Sequence, residues 1–354
     1  MRILMMAGGT GGHIFPALAV AEAFRQQGDT VSWLGTADKL EARVVPDAGF
    51  AIDFIRIGGV RRKGVLGWLA LPLRLSVAVF QAYRVMRKRK PDLVIGLGGY
   101  APGPGGLAAW LARKPLVIHE QNAAAGLTNR TLAKLAALKL AAFAPVLGAK
   151  TQVIGNPLRA DFLSASASHT EPHQDRSFRL LVVGGSLGAK VLNEVVPAAL
   201  GQLSLDARIE VRHQAGQATL SLAEQAYAAA GISANIQAFI DDMAAAYHWA
   251  DCVICRAGAL TVSELAVIGT PAIFVPLPHA VDDHQYKNSE PLVKAGAAIC
   301  LRQNMFNAKT LSTHLRYLIQ NPDTCAAMAQ KMQTFAQPDA TQAFIQLCRT
   351  TICS

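Results

Sequence analysis

An apolar run, two glycines, a hydroxyl residue, a further glycine and a helix-forming stretch follow one another in that order twice in this chain. The first copy runs from residues 3–7 into Gly8-Gly9-Thr10-Gly11-Gly12, and the second from residues 178–183 into Gly184-Gly185-Ser186-Leu187-Gly188. A strand that ends in glycines where a helix begins opens a βαβ unit, so each copy starts a parallel sheet of its own. Residues 30–34, 51–55, 92–97 and 116–119 read as further strands of the first half, and residues 209–213, 236–239, 252–255 and 272–275 as strands of the second. A helix is expected over residues 14–27, stopping at Gly28, and another from the second turn to Leu200. A length of 354 residues exceeds what one compact domain usually holds. The expectation is an α/β protein of two Rossmann-like domains in tandem, with the Ser-, His- and Asp-rich residues 164–177 as the boundary region.

With 51% hydrophobic and 16% charged residues, the chain is neither disordered nor a coiled coil. Its longest apolar stretches are about half of the roughly 18–20 residues a bilayer crossing needs. Residues 1–7 lack the basic start of a signal peptide, which predicts a cytoplasmic protein. The six cysteines fit a reducing compartment. Cys252 and Cys255 form a CxxC without a second pair, inside the apolar run 250–254, which reads as a buried strand rather than a metal or redox site.

Charge is uneven. Residues 1–155 carry 20 Lys and Arg against 8 Asp and Glu, a net of +12, whereas the remainder is at −2. Anionic lipid, nucleic acid or a polyphosphate substrate would each satisfy the basic half. Nine of its cations lie within residues 61–90, a stretch without an acid.

At the glycine turns, unpaired backbone N–H groups and the positive end of a helix dipole favour an anion, commonly a phosphate. The dinucleotide pattern GxGxxG fails, because Ile14 stands where the third glycine belongs. The Walker pattern fails as well, because Ala189-Lys190-Val191 is not Gly-Lys-Ser/Thr. Neither a dehydrogenase nor an NTPase is favoured. Tight turns need glycine in any α/β protein, yet two matched turns favour a phosphate-bearing ligand. His13 follows the first turn directly, where an imidazole can serve as a base or simply cap the turn. The run from Arg256 through Ala259, Leu260, Thr261, Val262, Ser263 and Glu264 is another strand-to-helix turn. Thr261 and Glu264 have capping-box spacing, which predicts Thr261 as the helix N-cap. The alternative is that Glu264 accepts hydrogen bonds from ribose hydroxyls beside a nucleotide.

Residues 60–90 place Leu69, Leu73, Val77 and Phe80 at helical spacing, with Trp68 beside them and Arg87, Lys88, Arg89 and Lys90 at the end. Pro72 divides the stretch into a short turn and a longer helix. An apolar face rimmed by cations suits an anionic membrane surface; an ordinary amphipathic helix packed on the sheet is the plainer reading. Nucleic-acid binding is disfavoured, since no recognition module shows and aromatics for base stacking are few there.

Eight motifs carry a resemblance to a known family: Ala7-Gly-Gly-Thr-Gly-Gly-His13, Gly96-Leu-Gly-Gly-Tyr100, His119-Glu-Gln-Asn122, Gly155-Asn-Pro-Leu-Arg159, Val183-Gly-Gly-Ser186, Phe239-Ile-Asp-Asp242, the stretch from Arg256 to Glu264, and His284-Gln285. In this order they resemble glycosyltransferase family 28, and within it the enzymes that convert lipid I to lipid II. The resemblance runs from Arg2 to about Ala340. It implies a GT-B fold, two Rossmann-like domains with parallel sheets facing across a cleft, with the last helix, near residues 340–352, returning to the first domain. The implied domains are residues 1–160 plus 338–354 and residues 161–337. The implied reaction is inverting transfer from UDP-N-acetylglucosamine to the 4-hydroxyl of the muramyl sugar on undecaprenyl diphosphate, at the cytoplasmic face of the bacterial inner membrane. Carried over by position, Ile240 would meet the uracil through its backbone, Arg159 the nucleotide, Glu264 the ribose, and Ser186 with residues 259–263 the diphosphate. Gln285 and Asn122 would read the sugar, Thr10, Gly11 and Gly12 would close on the donor, Tyr100 would position the acceptor, and His13 would be the base. No tightly bound cofactor is implied, only a loosely associated divalent cation, because no Asp-x-Asp is present. Asp241-Asp242 and Asp282-Asp283 are adjacent pairs whose carboxylates point apart. Other readings are a different UDP-sugar enzyme of this fold, such as a glycolipid synthase or 2-epimerase, and a basic membrane scaffold that catalyses nothing.

Overall fold

Apolar runs of β-branched and leucine-type residues become central strands because both faces of a parallel sheet are covered by helices. In the computed structural model, which describes residues 1–58, 71–164, 176–185, 188–203 and 208–353, Leu93–Gly96, Leu116–Glu120 and Cys252–Cys255 are buried at every position. The strands are β1 Arg2–Met6, β2 Thr30–Gly35, β3 Ala51–Phe54, β4 Leu93–Gly96, β5 Leu116–Glu120, β6 Leu138–Ala141, β7 Thr151–Val153, β8 Phe178–Val183, β9 Ile209–Gln214, β10 Asn235–Gln237, β11 Cys252–Cys255, β12 Ala272–Phe274 and β13 Ala298–Cys300. They form two wholly parallel sheets, one ordered β3-β2-β1-β4-β5-β6-β7 and the other β10-β9-β8-β11-β12-β13. The chain divides into two compact units, Met1–Arg159 with Gln337–Ser354, and Ala160–Ala336.

The first unit shows how alternation along a strand builds two cores. Ile3 and Met5 point to one face of the sheet, where they meet Phe24, Trp33, Ile95 and Phe344. Leu4 and Met6 point to the other, with Leu34, Val94, Ile118, Ala82 and Met86. Phe344, Ile345 and Cys348 lie on the last helix, Ala340–Cys353, so the chain's end seals the first unit's core. Arg349 ties that helix to Asp29 at 2.7 Å, and Asp29 also holds the terminal amine of Met1. The second unit has one large core around Leu180, Val182, Leu192, Tyr227 and Ile273.

Several boundaries differ from expectation. The first helix spans Gly11–Gln26 and so begins a turn earlier than residue 14, which puts Gly11, Gly12 and His13 in its first turn. The strand expected at 236–239 is Asn235–Gln237. β6, β7 and β13 are absent from the sequence reading. β6 lies in an alanine- and leucine-rich stretch that reads as helix, and β7 and β13 are three-residue strands at sheet edges.

Candidate active site

In each sheet the strand order reverses between two neighbours, β1 and β4 in the first unit and β8 and β11 in the second. Open α/β sheets bind ligands outside the carboxyl ends of strands at such a switch point. The turns after β1, β4 and β5, and those after β8 and β11, are the motifs singled out from sequence.

In the first unit the turns after β1 and β4 touch backbone to backbone. The Gly8 N–H donates to the Gly98 carbonyl at 3.3 Å. A Cβ at Gly99, whose φ is +95°, would lie 2.3 Å from the Gly8 oxygen, and one at Gly98, at +102°, would lie 2.6 Å from His13 Nδ1. The Gly96-Leu-Gly-Gly-Tyr100 motif therefore needs glycine for positive φ and for close approach. His13 rests its ring against Gly98, and its Nδ1 is 3.1 Å from Gln121 Oε1. Thr10 precedes the first helix without capping it through its side chain, and Thr10 and Gly12 are exposed. Tyr100 is also exposed, just ahead of the helix Pro102–Leu111.

Two acids that sequence reasoning passed over organise these turns. Glu41, 1% exposed, accepts from the Gly9 N–H at 2.9 Å and from the Thr36 N–H and hydroxyl at 3.1 and 2.6 Å. Glu120, equally buried, accepts from the Asn122 N–H and side-chain amide and from the Gly126 N–H and Asn129 amide. It fixes the turn carrying Asn122. The signal for Glu120 was its place in the His119-Glu-Gln-Asn122 motif; Glu41 had none. Arg159 holds its guanidinium 5.6 Å from the Phe15 ring.

In the second unit, the helix after β11 is Ala259–Ile268 with Gly258 as N-cap and no side-chain cap. The expected capping box is therefore wrong: Thr261 and Glu264 lie inside the helix. Both instead lie beside the fully buried phenol of Tyr247, whose pKa burial drives far upward. Arg256 turns away, donating to the Val275 and Pro276 carbonyls and to Gln303 Oε1. Gln285 lies on the helix His284–Lys294, where its Oε1 accepts from the Leu277 N–H at 2.9 Å. That helix is tied to the β11 turn by Asn288, which donates to the Ala257 carbonyl. Asp282 and Asp283, just before it, both have positive φ, a strain of roughly 1–2 kcal/mol each. Ile240 borders a cavity of about 250 Å³ with Arg212, Asn235, Gln237, Asp241 and Asp242.

Among the described residues no His, Cys, Asp or Glu cluster could hold a metal ion. Of the adjacent acid pairs, Asp242 caps the helix Met243–Trp249 and Asp283 pairs with Arg302. Cys252 and Cys255 are buried in β11, and burial pushes both thiols upward. Ser186, Trp68 and Leu69 lie outside the described residues. Leu73, Val77 and Phe80 are exposed on the helix Leu71–Arg89, while its Ala78 is buried and its Ala82, Val85 and Met86 join the core on that face of the sheet. Arg87 and Lys90 are exposed. Lys88 and Arg89 are not unbalanced, since both pair with Asp53 of β3. No described helix is long and apolar enough to cross a membrane.

Two wholly parallel sheets, each with glycine turns at its switch point, fit the GT-B class of nucleotide-sugar proteins. Residues 3–139 match the glycosyltransferase family 28 N-terminal domain and residues 179–344 its C-terminal domain. A UDP-N-acetylglucosamine--N-acetylmuramyl-(pentapeptide) pyrophosphoryl-undecaprenol N-acetylglucosamine transferase of Alkalilimnicola ehrlichii is 51% identical over 355 residues, covering 98% of both chains. A protein of the same description from Psychromonas ingrahamii is 47% identical, covering 99% of this chain and 98% of its own. The crystal structure of Acinetobacter baumannii MurG superposes with a TM-score of 0.84 at 41% identity over 99% of each chain. The chain belongs to glycosyltransferase family 28.

Proposed function

We propose that this chain transfers N-acetylglucosamine from UDP-N-acetylglucosamine to the 4-hydroxyl of the muramyl sugar in lipid I, giving lipid II for peptidoglycan synthesis. The observation that carries this reading is end-to-end identity of 51% with a transferase of that description, which spans both sheets and all their glycine turns. Inverting transfer needs a base for the acceptor hydroxyl and a way to stabilise departing UDP. His13 is assigned as the base and Tyr100 as the residue that positions the acceptor. Glu264 is assigned to the ribose, the Ile240 backbone to the uracil, Arg159 to the nucleotide, and the N-terminus of Ala259–Ile268 with Ser186 to the diphosphate. Asn122 and Gln285 are assigned to the sugar, and Thr10, Gly11 and Gly12 also contribute to donor binding. Helix N-termini supply the electrostatic stabilisation, with a divalent cation at most loosely associated. The first unit is assigned the acceptor and the second the donor. The exposed Leu73, Val77 and Phe80, rimmed by Arg87 and Lys90, support contact with the anionic cytoplasmic face of the inner membrane as a peripheral protein.

The test is transfer of radiolabelled sugar to a lipid I analogue. His13→Ala is expected to lower kcat by about 10²- to 10⁴-fold with little change in KM for the donor. Glu264→Ala is expected to raise that KM instead. Donor binding without any transfer by the unaltered protein would sink the enzyme reading. Donor epimerisation or hydrolysis in the absence of lipid acceptor would favour a 2-epimerase or related enzyme.

A further inference from the structure

Beneath the first glycine turn, four groups form a chain of hydrogen bonds whose direction is set at one end. His119 of β5 is fully buried, and its Nε2 lies 2.9 Å from the Gly155 carbonyl. Its Nδ1 lies 3.3 Å from Gln121 Nε2, and Gln121 Oε1 lies 3.1 Å from His13 Nδ1. A carbonyl oxygen only accepts, so His119 carries its proton on Nε2. Burial holds the ring neutral by pushing its pKa down to about 4, which leaves Nδ1 bare. A bare nitrogen must face the NH₂ of Gln121, because the opposite amide orientation would set an oxygen against a lone pair. The Gln121 oxygen then faces His13 and can only accept, so His13 donates from Nδ1. In a neutral imidazole that leaves Nε2 with its lone pair free of a proton. Gln121 is held in this role by its backbone, whose carbonyl accepts from the Asn156 amide at 3.2 Å.

We propose that Gln121 is a positioning residue that carries the fixed polarity of the Gly155 carbonyl, through His119, to His13 and keeps His13 in the Nδ1–H tautomer with Nε2 open. The proposal deepens the transferase reading and rests on His13 as its base. During transfer the acceptor O–H bond breaks and its proton goes to His13 Nε2. The oxygen's electron pair forms the bond to the sugar's anomeric carbon, and the bond from that carbon to the diphosphate oxygen breaks, its pair leaving with UDP. No proton passes through Gln121, because its amide only orients.

The experiment is nitrogen NMR of the full chain with ¹⁵N-labelled histidine, where protonated and bare ring nitrogens differ in chemical shift. His13→Ala identifies the His13 signals among those of the nine histidines. The expected spectrum at neutral pH has His13 protonated on Nδ1 and bare on Nε2, with His119 the reverse. In Gln121→Leu the His13 signals are expected to move toward the other tautomer. Its kcat should fall about 10- to 100-fold, with KM for UDP-N-acetylglucosamine within about two-fold. An unaltered protein whose His13 carries its proton on Nε2 overturns the proposal, and this does not depend on the Gln121→Leu protein folding. A Gln121→Leu protein with unmoved His13 signals overturns it too. If His13→Ala transfers at the full rate, the base assignment fails, while the spectrum of the unaltered protein still decides the tautomer.

Discussion

Two histidines in this chain are buried and neutral for reasons legible in their partners. His119 donates to the Gly155 carbonyl, and His213 sits between the Tyr227 hydroxyl and Asn193 Oδ1, each at 3.0 Å. Burial pushes both pKa values from 6.5 down to about 4. A histidine whose folded value is depressed binds its proton more readily in the unfolded chain, so its contribution is complete above about pH 6.5 and is lost as pH falls toward 4. The two shifts amount to at most about 3 kcal/mol each. Urea midpoints are therefore expected to fall between pH 7 and pH 5. His213→Gln, which keeps a donor and an acceptor, should flatten that fall. A midpoint that is level or higher at pH 5 would contradict the account. His119 stood in a quoted motif, yet its role was not legible, because the carbonyl that orients it, Gly155, is brought near only by the fold.

Elements were read better where periodicity was strong. β8 and β11 fall at residues 178–183 and 252–255 as expected, because near-continuous apolar runs bounded by turn residues admit little else. The capping box at Thr261 was misread for a local reason: Gly258 already adopts the extended conformation of an N-cap, so the cap falls three residues before the hydroxyl that matched the pattern. The helix Leu71–Arg89 packs in the core, the plainer of the two readings offered for it, and leaves its larger side chains free for the other. Its small residues, Ala78 and Ala82, are fully buried, and its larger Leu73, Val77 and Phe80 face outward, with Leu73 71% and Phe80 62% exposed. Burying such side chains in a lipid interface is worth about 1.5–3 kcal/mol each, against about 1 kcal/mol for each unpaired cation near an anionic surface. Leu73→Glu combined with Phe80→Glu is expected to abolish sedimentation with vesicles rich in anionic lipid, while transfer to a water-soluble acceptor analogue continues. Undiminished vesicle binding by that double variant would remove this helix from the membrane contact.

At the scale of the whole molecule, the repeated strand-and-glycine turn correctly announced two parallel sheets, because such a turn has few uses other than opening a βαβ unit. What the turn could not announce is its support. Glu41 comes from a short helix after β2, and its link to Gly9 depends on β1 and β2 lying side by side. The tie between the last helix and Phe24 likewise joins opposite ends of the chain and leaves no local pattern. The specific chemistry rests on the order of eight motifs along nearly the full length, which a glycine turn alone does not carry. The central claim is that this chain joins an amino sugar to a lipid-linked sugar with inversion. The most direct measurement is the linkage and anomeric configuration of the product formed from UDP-N-acetylglucosamine and lipid I. A β-configured bond to the muramyl 4-hydroxyl, made from the α-configured donor, is the expected result; an α-configured bond, or a different acceptor hydroxyl, would contradict the account.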